Sequence, residues 1–296
     1  MTEHLRIAVT STARFVAAAA VISTLVPSVA FSQDSELHSV HWAYSSYFGT
    51  GWYNIDGQRN SYVLRMTPRW NYRESSIDDD GSRTLGIYFK FPVTAGLNTF
   101  ILDNPSDTLH PDNLASLSVT PGVDIEIPIN QRWMLRPYAS IGWGTIVDGS
   151  DSAWTYWTGI KSRLAFQSGK LNWALLNGIG YVGFTPDIGN SEDFWPLMIG
   201  LEFDYPLGKK NADGDQYLWY WHASYTTFEN DLDLILDDPA TKPITDQWEL
   251  AIALGKKDER IKIWFMNFDR LGLGFRTSSN GNLQGITFVF RSIFDL

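Results

Sequence analysis

Hydrophobic and polar residues alternate along most of this chain, and the alternation is clearest in residues 283–294. On one face of this stretch lie Ile286, Phe288, Phe290 and Phe294, with a single serine interrupting them. On the other face lie glycine, threonine, valine and arginine. A repeat of two residues is that of a β-strand with two unlike faces. The pattern therefore predicts a strand with an aromatic-rich apolar face in residues 283–294.

The same alternation recurs along the chain and predicts twelve strands, at residues 48–57, 61–73, 83–94, 115–128, 132–147, 153–167, 170–185, 194–206, 216–229, 245–256, 261–276 and 283–294. Strands of soluble domains usually have about 5–6 residues. A tilted strand that crosses the hydrocarbon layer of a membrane needs about 9–11. Length and alternation together favour an all-β fold, a transmembrane antiparallel up-and-down β-barrel of about 12 strands, over a soluble β-sandwich.

The connections between these strands fit the same fold. Outer-membrane barrels have short turns at the periplasmic side and longer loops outside. Three odd-numbered connections are long, at residues 95–114, 186–193 and 230–244. Three even-numbered connections are tight turns, near residues 130–131, 168–169 and 257–260. With the N-terminus in the periplasm, the long connections are expected to be external.

Two features interrupt the predicted strands. Proline removes a hydrogen-bond donor from the sheet, so prolines inside strands are expected to mark bulges. The prolines in question are Pro68, Pro121, Pro137 and Pro196. In residues 261–276, Asn267 and Asp269 follow Phe265 on what should be one apolar face. We expect a change of register there.

The N-terminal segment has the pattern of a secretory signal peptide. A basic start precedes an apolar core at residues 15–26, which is too short to span a bilayer, and Ser-Val-Ala at residues 28–30 fits a cleavage site. An ordinary buried helix is the alternative. No later run of 18 apolar residues occurs, so no transmembrane helix is predicted. The predicted organisation is a signal peptide at 1–30, a short periplasmic or lumenal leader at 31–47 and an outer-membrane barrel domain at 48–296.

Composition narrows the classes of partner and chemistry. The chain has 13 Trp, 13 Tyr, 17 Phe and no Cys, and its formal net charge is −10. Aromatic residues form girdles at both membrane interfaces of outer-membrane barrels. The acidic balance argues against a nucleic-acid partner. The acidic segments at 78–80, 211–215 and 231–238 lack a complete calcium loop. We therefore expect solvated turns there, with no metal and no cofactor.

Charged residues fall on the predicted inward face of the barrel. They are Arg65, Arg69, Arg73, Lys90, Asp124, Glu126, Arg136, Lys161, Arg163, Glu202, Asp204, Glu249 and Arg291. One interpretation is a water-filled lumen that orients small polar or anionic solutes. The other is a lumen closed by its own ion pairs. Twelve strands make a barrel intermediate between filled eight-stranded barrels and sixteen-stranded porins, so width does not decide between them.

His222 and Ser224 offer one candidate for catalysis. Outer-membrane phospholipases and lipid A deacylases place a histidine and a serine two residues apart on a barrel strand. A serine needs an adjacent, oriented base to become a nucleophile. In residues 217–228, however, the apolar face carries Trp219 and Trp221, which turns His222 and Ser224 inward, away from lipid. We expect a hydrogen-bonded pair in the lumen and no enzymatic activity.

Taken together, the signal at residues 28–30, the twelve-strand alternation and the terminal GITFVFRSIF segment at 285–294 resemble a solitary outer-membrane autotransporter-type β-barrel domain of Gram-negative bacteria. The resemblance implies export to the outer membrane, contact with its lipid, and assembly by the barrel-assembly machinery through the C-terminal strand. It implies no obligate protein partner. The expected function is a small-solute channel or a plugged structural barrel without a passenger. A lipid-modifying enzyme and a surface adhesion protein acting through its external loops are the alternatives.

Overall fold

The computed structural model describes residues 43, 47–57, 59–99, 114–147, 151–187, 191–208, 216–232, 243–257, 261–263 and 266–295. The predicted signal peptide lies outside the described residues. Among the described helical segments, none is long and apolar enough to cross a membrane. The strands are β1 (Gly51–Ile55), β2 (Arg59–Met66), β3 (Arg69–Arg73), β4 (Ser76–Ile77), β5 (Arg83–Thr84), β6 (Gly86–Lys90), β7 (Val93–Thr99), β8 (Leu114–Val119), β9 (Gly122–Pro128), β10 (Trp133–Ile146), β11 (Ser152–Ser168), β12 (Leu171–Pro186), β13 (Glu192–Leu207), β14 (Tyr217–Leu232), β15 (Ile244–Lys256), β16 (Ile261–Ile263), β17 (Met266–Phe268), β18 (Arg270–Thr277) and β19 (Leu283–Val289).

The main sheet closes on itself as an antiparallel barrel. Its last strand, β19, pairs with β1, and Trp52 lies opposite Ile286. Three pairs of short strands continue one another, because β2 and β3, β6 and β7, and β8 and β9 each lie end to end beside the same neighbours. Counted this way, the barrel has 12 strand positions, which confirms the predicted fold.

The breaks within the paired strands fall at three prolines that lie side by side. The Phe91 amide donates to the Pro68 carbonyl at 2.9 Å, the Thr120 amide to the Pro92 carbonyl at 2.9 Å and the Ile141 amide to the Pro121 carbonyl at 3.1 Å. Each proline lacks an amide donor but keeps its acceptor, so the ladder is interrupted without being lost. The expected irregularity therefore occurs at Pro68 and Pro121.

At the other two prolines the expectation of a bulge is wrong. Pro137 of β10 lies opposite Ile160 of β11, and Pro196 of β13 lies opposite Phe228 of β14. The pairing of β10 with β11 and of β13 with β14 runs through both prolines without a shift of register. A single missing donor is tolerated where the flanking residues of a long strand keep their partners.

Several boundaries differ from those predicted. Residues 95–99 belong to β7, because Thr99 pairs with Asn60 of β2, so the connection that follows is shorter than expected. Residues 261–276 divide into the β16–β17 hairpin and the separate strand β18, which accounts for the expected change of register. The tight turn after β11 is present and uses Gly169 at φ +60°, a conformation that favours glycine. Within the two long connections predicted at 95–114 and 230–244, residues 100–113 and 233–242 lie outside the described residues.

The two faces of the sheet differ as a membrane barrel requires. Large apolar side chains project outward, among them Trp70, Ile141, Trp143, Ile199, Leu250 and Phe288. The alternate positions face the interior and carry buried polar or charged groups. This is the reverse of a soluble barrel and matches an apolar belt facing lipid with a polar interior.

The expected strand at 283–294 is wrong in its second half. Strand β19 ends at Val289, and Ile293–Asp295 form a 3₁₀ turn, hereafter the lumenal turn. The Phe294 amide donates to the Ser292 hydroxyl at 3.2 Å, a local bond that competes with strand pairing. As a result Phe288 is 51% exposed on the outer face, whereas Phe294 is only 4% exposed.

Candidate functional site

The interior of the barrel contains most of the predicted charged residues. The buried ones are Lys90, Asp124, Glu126, Arg136, Glu202 and Glu249. Those of intermediate exposure are Arg65, Arg69, Lys161, Arg163, Asp204 and Arg291. Arg73 differs, because it is exposed near the end of β3 and its Nε donates to the Leu85 carbonyl at 2.6 Å. Their contacts form three groups, and a further ion pair joins Glu202 to Arg270.

The first group ties the lumenal turn to the barrel wall. Arg136 pairs with both Glu126 and Asp295, and Arg69 reaches the same two carboxylates at 3.4 Å and 3.2 Å. The Tyr88 hydroxyl also donates to Glu126, at 2.8 Å. Burial opposes ionisation of Asp295, but the charges of Arg136 and Arg69 outweigh it and lower its pKa to about 2. Asp295 is therefore a carboxylate at neutral pH.

Apolar contacts hold the lumenal turn as well. Ile293 and Phe294 pack against Ala174 and Leu176, which point inward from β12. The Arg136 guanidinium lies 4.1 Å from the Phe294 ring centroid, within the range of a cation–π contact, and donates to the Phe294 carbonyl at 2.9 Å. The lumenal turn is therefore held inside the barrel by the apolar packing of Ile293 and Phe294 as well as by the ion pairs of Asp295.

The second group lies on β14, β15, β18 and β19. Both Nε and Nη2 of Arg276 donate to Oε2 of Glu249, at 3.1 Å and 2.5 Å. The other carboxylate oxygen lies 3.4 Å from the His222 Nε2 and accepts from the Thr287 hydroxyl at 3.4 Å. This buried carboxylate is expected to stabilise the barrel wall, because removing Glu249 or Arg276 would leave the other charge buried without a counter-charge.

The third group involves residues of β2, β6, β9, β10 and β11. Lys90 pairs with Asp124 at 2.8 Å, and its ammonium lies 5.1 Å from the Tyr138 ring centroid. Across the lumen, the Arg65 guanidinium lies 4.5 Å from the ring centroid of Trp157. Lys90 and Asp124 lie on the neighbouring strands β6 and β9, whereas the contact of Arg65 with Trp157 joins β2 to β11, which are not neighbours in the sheet.

An aromatic cluster fills the interior near β13 and β14. We call Tyr47, Phe48, Tyr53, Phe194 and Phe228 the aromatic plug. Its rings meet edge to face or stacked, at centroid distances of 4.6 to 6.2 Å. Two of its rings precede β1, so residues before the barrel contribute to its interior.

His222 and Ser224 both lie on the inner face and are buried. His222 contacts Glu249, and Ser224 lies opposite Glu249 in the pairing of β14 with β15. Their side chains thus point away from the face that carries Trp219 and Trp221. Among the described residues, no group of histidine and acidic side chains could hold a metal ion.

Sequence reasoning missed Arg270, Arg276 and Asp295. Arg270 pairs with Glu202 at 3.0 Å, and Arg276 holds Glu249. Both arginines alternate with the outward Leu273 and Phe275, a signal that the break in residues 261–276 obscured. Nothing in the local sequence indicates that Asp295 turns into the barrel, because its partners are more than 150 residues away in the chain.

The barrel is similar to the beta domain of the Bordetella autotransporter BrkA, with a TM-score of 0.50 and 10% identity over 80% of this chain and 91% of that one. The transport unit of the Escherichia coli autotransporter AIDA-I has a TM-score of 0.41 and 12% identity over 92% and 97%. LpxR from Salmonella typhimurium has a TM-score of 0.41 and 12% identity over 80% and 90%. No protein-family model and no curated protein sequence matches this chain. At 10% identity the likeness to the BrkA beta domain shows the fold alone, that of an outer-membrane β-barrel.

Proposed function

We propose that this protein is an outer-membrane barrel of the autotransporter-translocator type, and that its lumen is plugged. The observation that carries the proposal is that two separate sets of side chains fill the barrel interior. The aromatic plug occupies one region of the lumen, and the lumenal turn, held by Arg69 and Arg136, occupies another. Further inward charges are paired with one another, Lys90 with Asp124 and Glu249 with Arg276. The barrel then works as an anchor or through its loops.

The location in the outer membrane belongs to the same proposal. The outward belt of apolar side chains, with Trp and Tyr among them, suits contact with lipid. A cleaved signal peptide at residues 1–30 would export the chain, residues 31–47 would serve as a lumenal leader, and β19 would be the strand offered to the barrel-assembly machinery.

Liposome swelling tests the plugged lumen. The full mature chain is refolded into liposomes, and the influx of arabinose and of glycine is followed by light scattering. We expect rates equal to those of empty liposomes. A double variant, Phe48→Ser with Phe194→Ser, removes two rings of the aromatic plug and should admit solute if that plug is a barrier. Swelling by the wild-type protein at a porin-like rate would overturn the proposal.

One observation keeps a lipid-modifying enzyme as a second candidate. The His222 Nε2 lies 3.4 Å from Glu249, which is the arrangement of a base with its orienting carboxylate. Against it, His222 and Ser224 are buried on the inner face, where the acyl chain of a membrane lipid has no access. Release of fatty acid from phospholipid or lipid A that disappears in Ser224→Ala would favour this candidate. An adhesion role would depend on residues 95–114 and 230–244.

A further inference from the structure

A cavity of about 290 Å³ lies inside the barrel next to the lumenal turn. Six charged side chains line it, three arginines and three carboxylates, namely Arg136, Arg163, Arg270, Glu126, Glu202 and Asp295. The space is small, since pockets for drug-sized ligands have volumes of about 300–1,000 Å³. Its lining is strongly polar, so a ligand of matching size would be a small charged solute.

Among the described residues that line the cavity, one arginine has no carboxylate paired with it. Each lining carboxylate already accepts from an arginine, Glu126 and Asp295 from Arg136, and Glu202 from Arg270. Arg163, by contrast, forms no hydrogen bond or ion pair with any residue in the described part of the chain. An unpaired guanidinium in a partly desolvated site attracts an anion more strongly than one in bulk water.

The chemistry of the unpaired group points to the class of ligand. Arginine presents its N–H donors in a planar fork that fits carboxylate and phosphate oxygens in a bidentate manner. We propose that this cavity binds a small oxyanion, a free carboxylate or phosphate, on the guanidinium of Arg163. The cavity is on the inner face of the sheet, so the headgroup of a surrounding lipid cannot be the source. The proposal is independent of whether the lumen conducts.

Binding can be measured on the full mature chain refolded in detergent micelles. Equilibrium dialysis with radiolabelled inorganic phosphate, and separately with radiolabelled acetate, gives the dissociation constant of each probe. We expect Arg163→Gln to bind about 10- to 100-fold more weakly, as the loss of one charge-assisted contact implies. The matched control is Arg132→Gln, which changes an exposed arginine in the turn between β9 and β10.

Arg163→Lys separates recognition from folding, because it keeps the charge but loses the planar fork. It should bind more weakly than the wild type and more tightly than Arg163→Gln, with an unchanged β-sheet circular-dichroism spectrum. If Arg163→Gln does not refold, the comparison of Arg163→Lys with Arg132→Gln decides alone. The proposal is overturned if the wild type binds neither probe, or if every Arg163 variant binds as the wild type does.

Discussion

The contact of Asp295 with two arginines makes a measurable contribution to stability. Asp295 pairs with Arg69 at 3.2 Å and with Arg136, and its side chain is 20% exposed. These charges lower its pKa to about 2, from an ordinary value near 4. A shift of that size corresponds to about 2.5 kcal/mol of folding free energy at neutral pH. Asp295→Asn should lose about that amount, because asparagine keeps the shape but removes the charge.

The pH dependence follows from the sign of the shift. A lowered pKa in the folded state means that the stabilisation is complete above about pH 4 and is lost as the pH falls from about 4 to about 2. Urea unfolding of the protein in detergent, followed by tryptophan fluorescence, should therefore show a difference between wild type and Asp295→Asn at pH 7 that disappears near pH 2. The exposed Asp79→Asn is the control and should change nothing. Equal stability at pH 7, or a difference that does not vary with pH, would refute the reasoning.

Two further predictions concern the wall of the barrel. Glu249→Gln should destabilise the barrel by about 3–5 kcal/mol, because Arg276 would remain buried without its carboxylate, whereas the exposed Glu229→Gln should have little effect in the same urea titration. Gly142→Ala should refold poorly, since its Cβ would come within 2.2 Å of a backbone oxygen of the neighbouring strand. Gly178→Ala should refold, because the corresponding distance there is 3.2 Å; heat-modified mobility in gel electrophoresis compares the two.

The fold could be predicted because the membrane imposes one rule on every strand. Outward positions must be apolar and inward ones need not be, so a run such as Trp248, Leu250, Ile252 and Leu254 identifies its face without knowledge of its neighbours. The same rule put His222 inward. Each of these inferences depends only on residues close together in the chain.

The interior could not be predicted, because it depends on distant contacts. Phe294 continues the apolar pattern of β19 in sequence, yet its environment is set by Leu176 and Arg136, which come from other strands. Likewise, the choice between an open and a closed lumen depends on which charges meet. Residue type places Arg69 and Glu126 on the inner face, but their 3.4 Å contact is a product of the closed barrel.

Single-channel recording in a planar lipid bilayer tests the plugged lumen most directly. The refolded mature protein, shown by circular dichroism to be β-folded, is inserted and held at constant voltage, with Asp295→Asn and the Phe48→Ser, Phe194→Ser double variant beside it. We expect silence from the wild type and current steps from the double variant. Stable ohmic steps from the wild type would contradict a lumen closed by its own side chains.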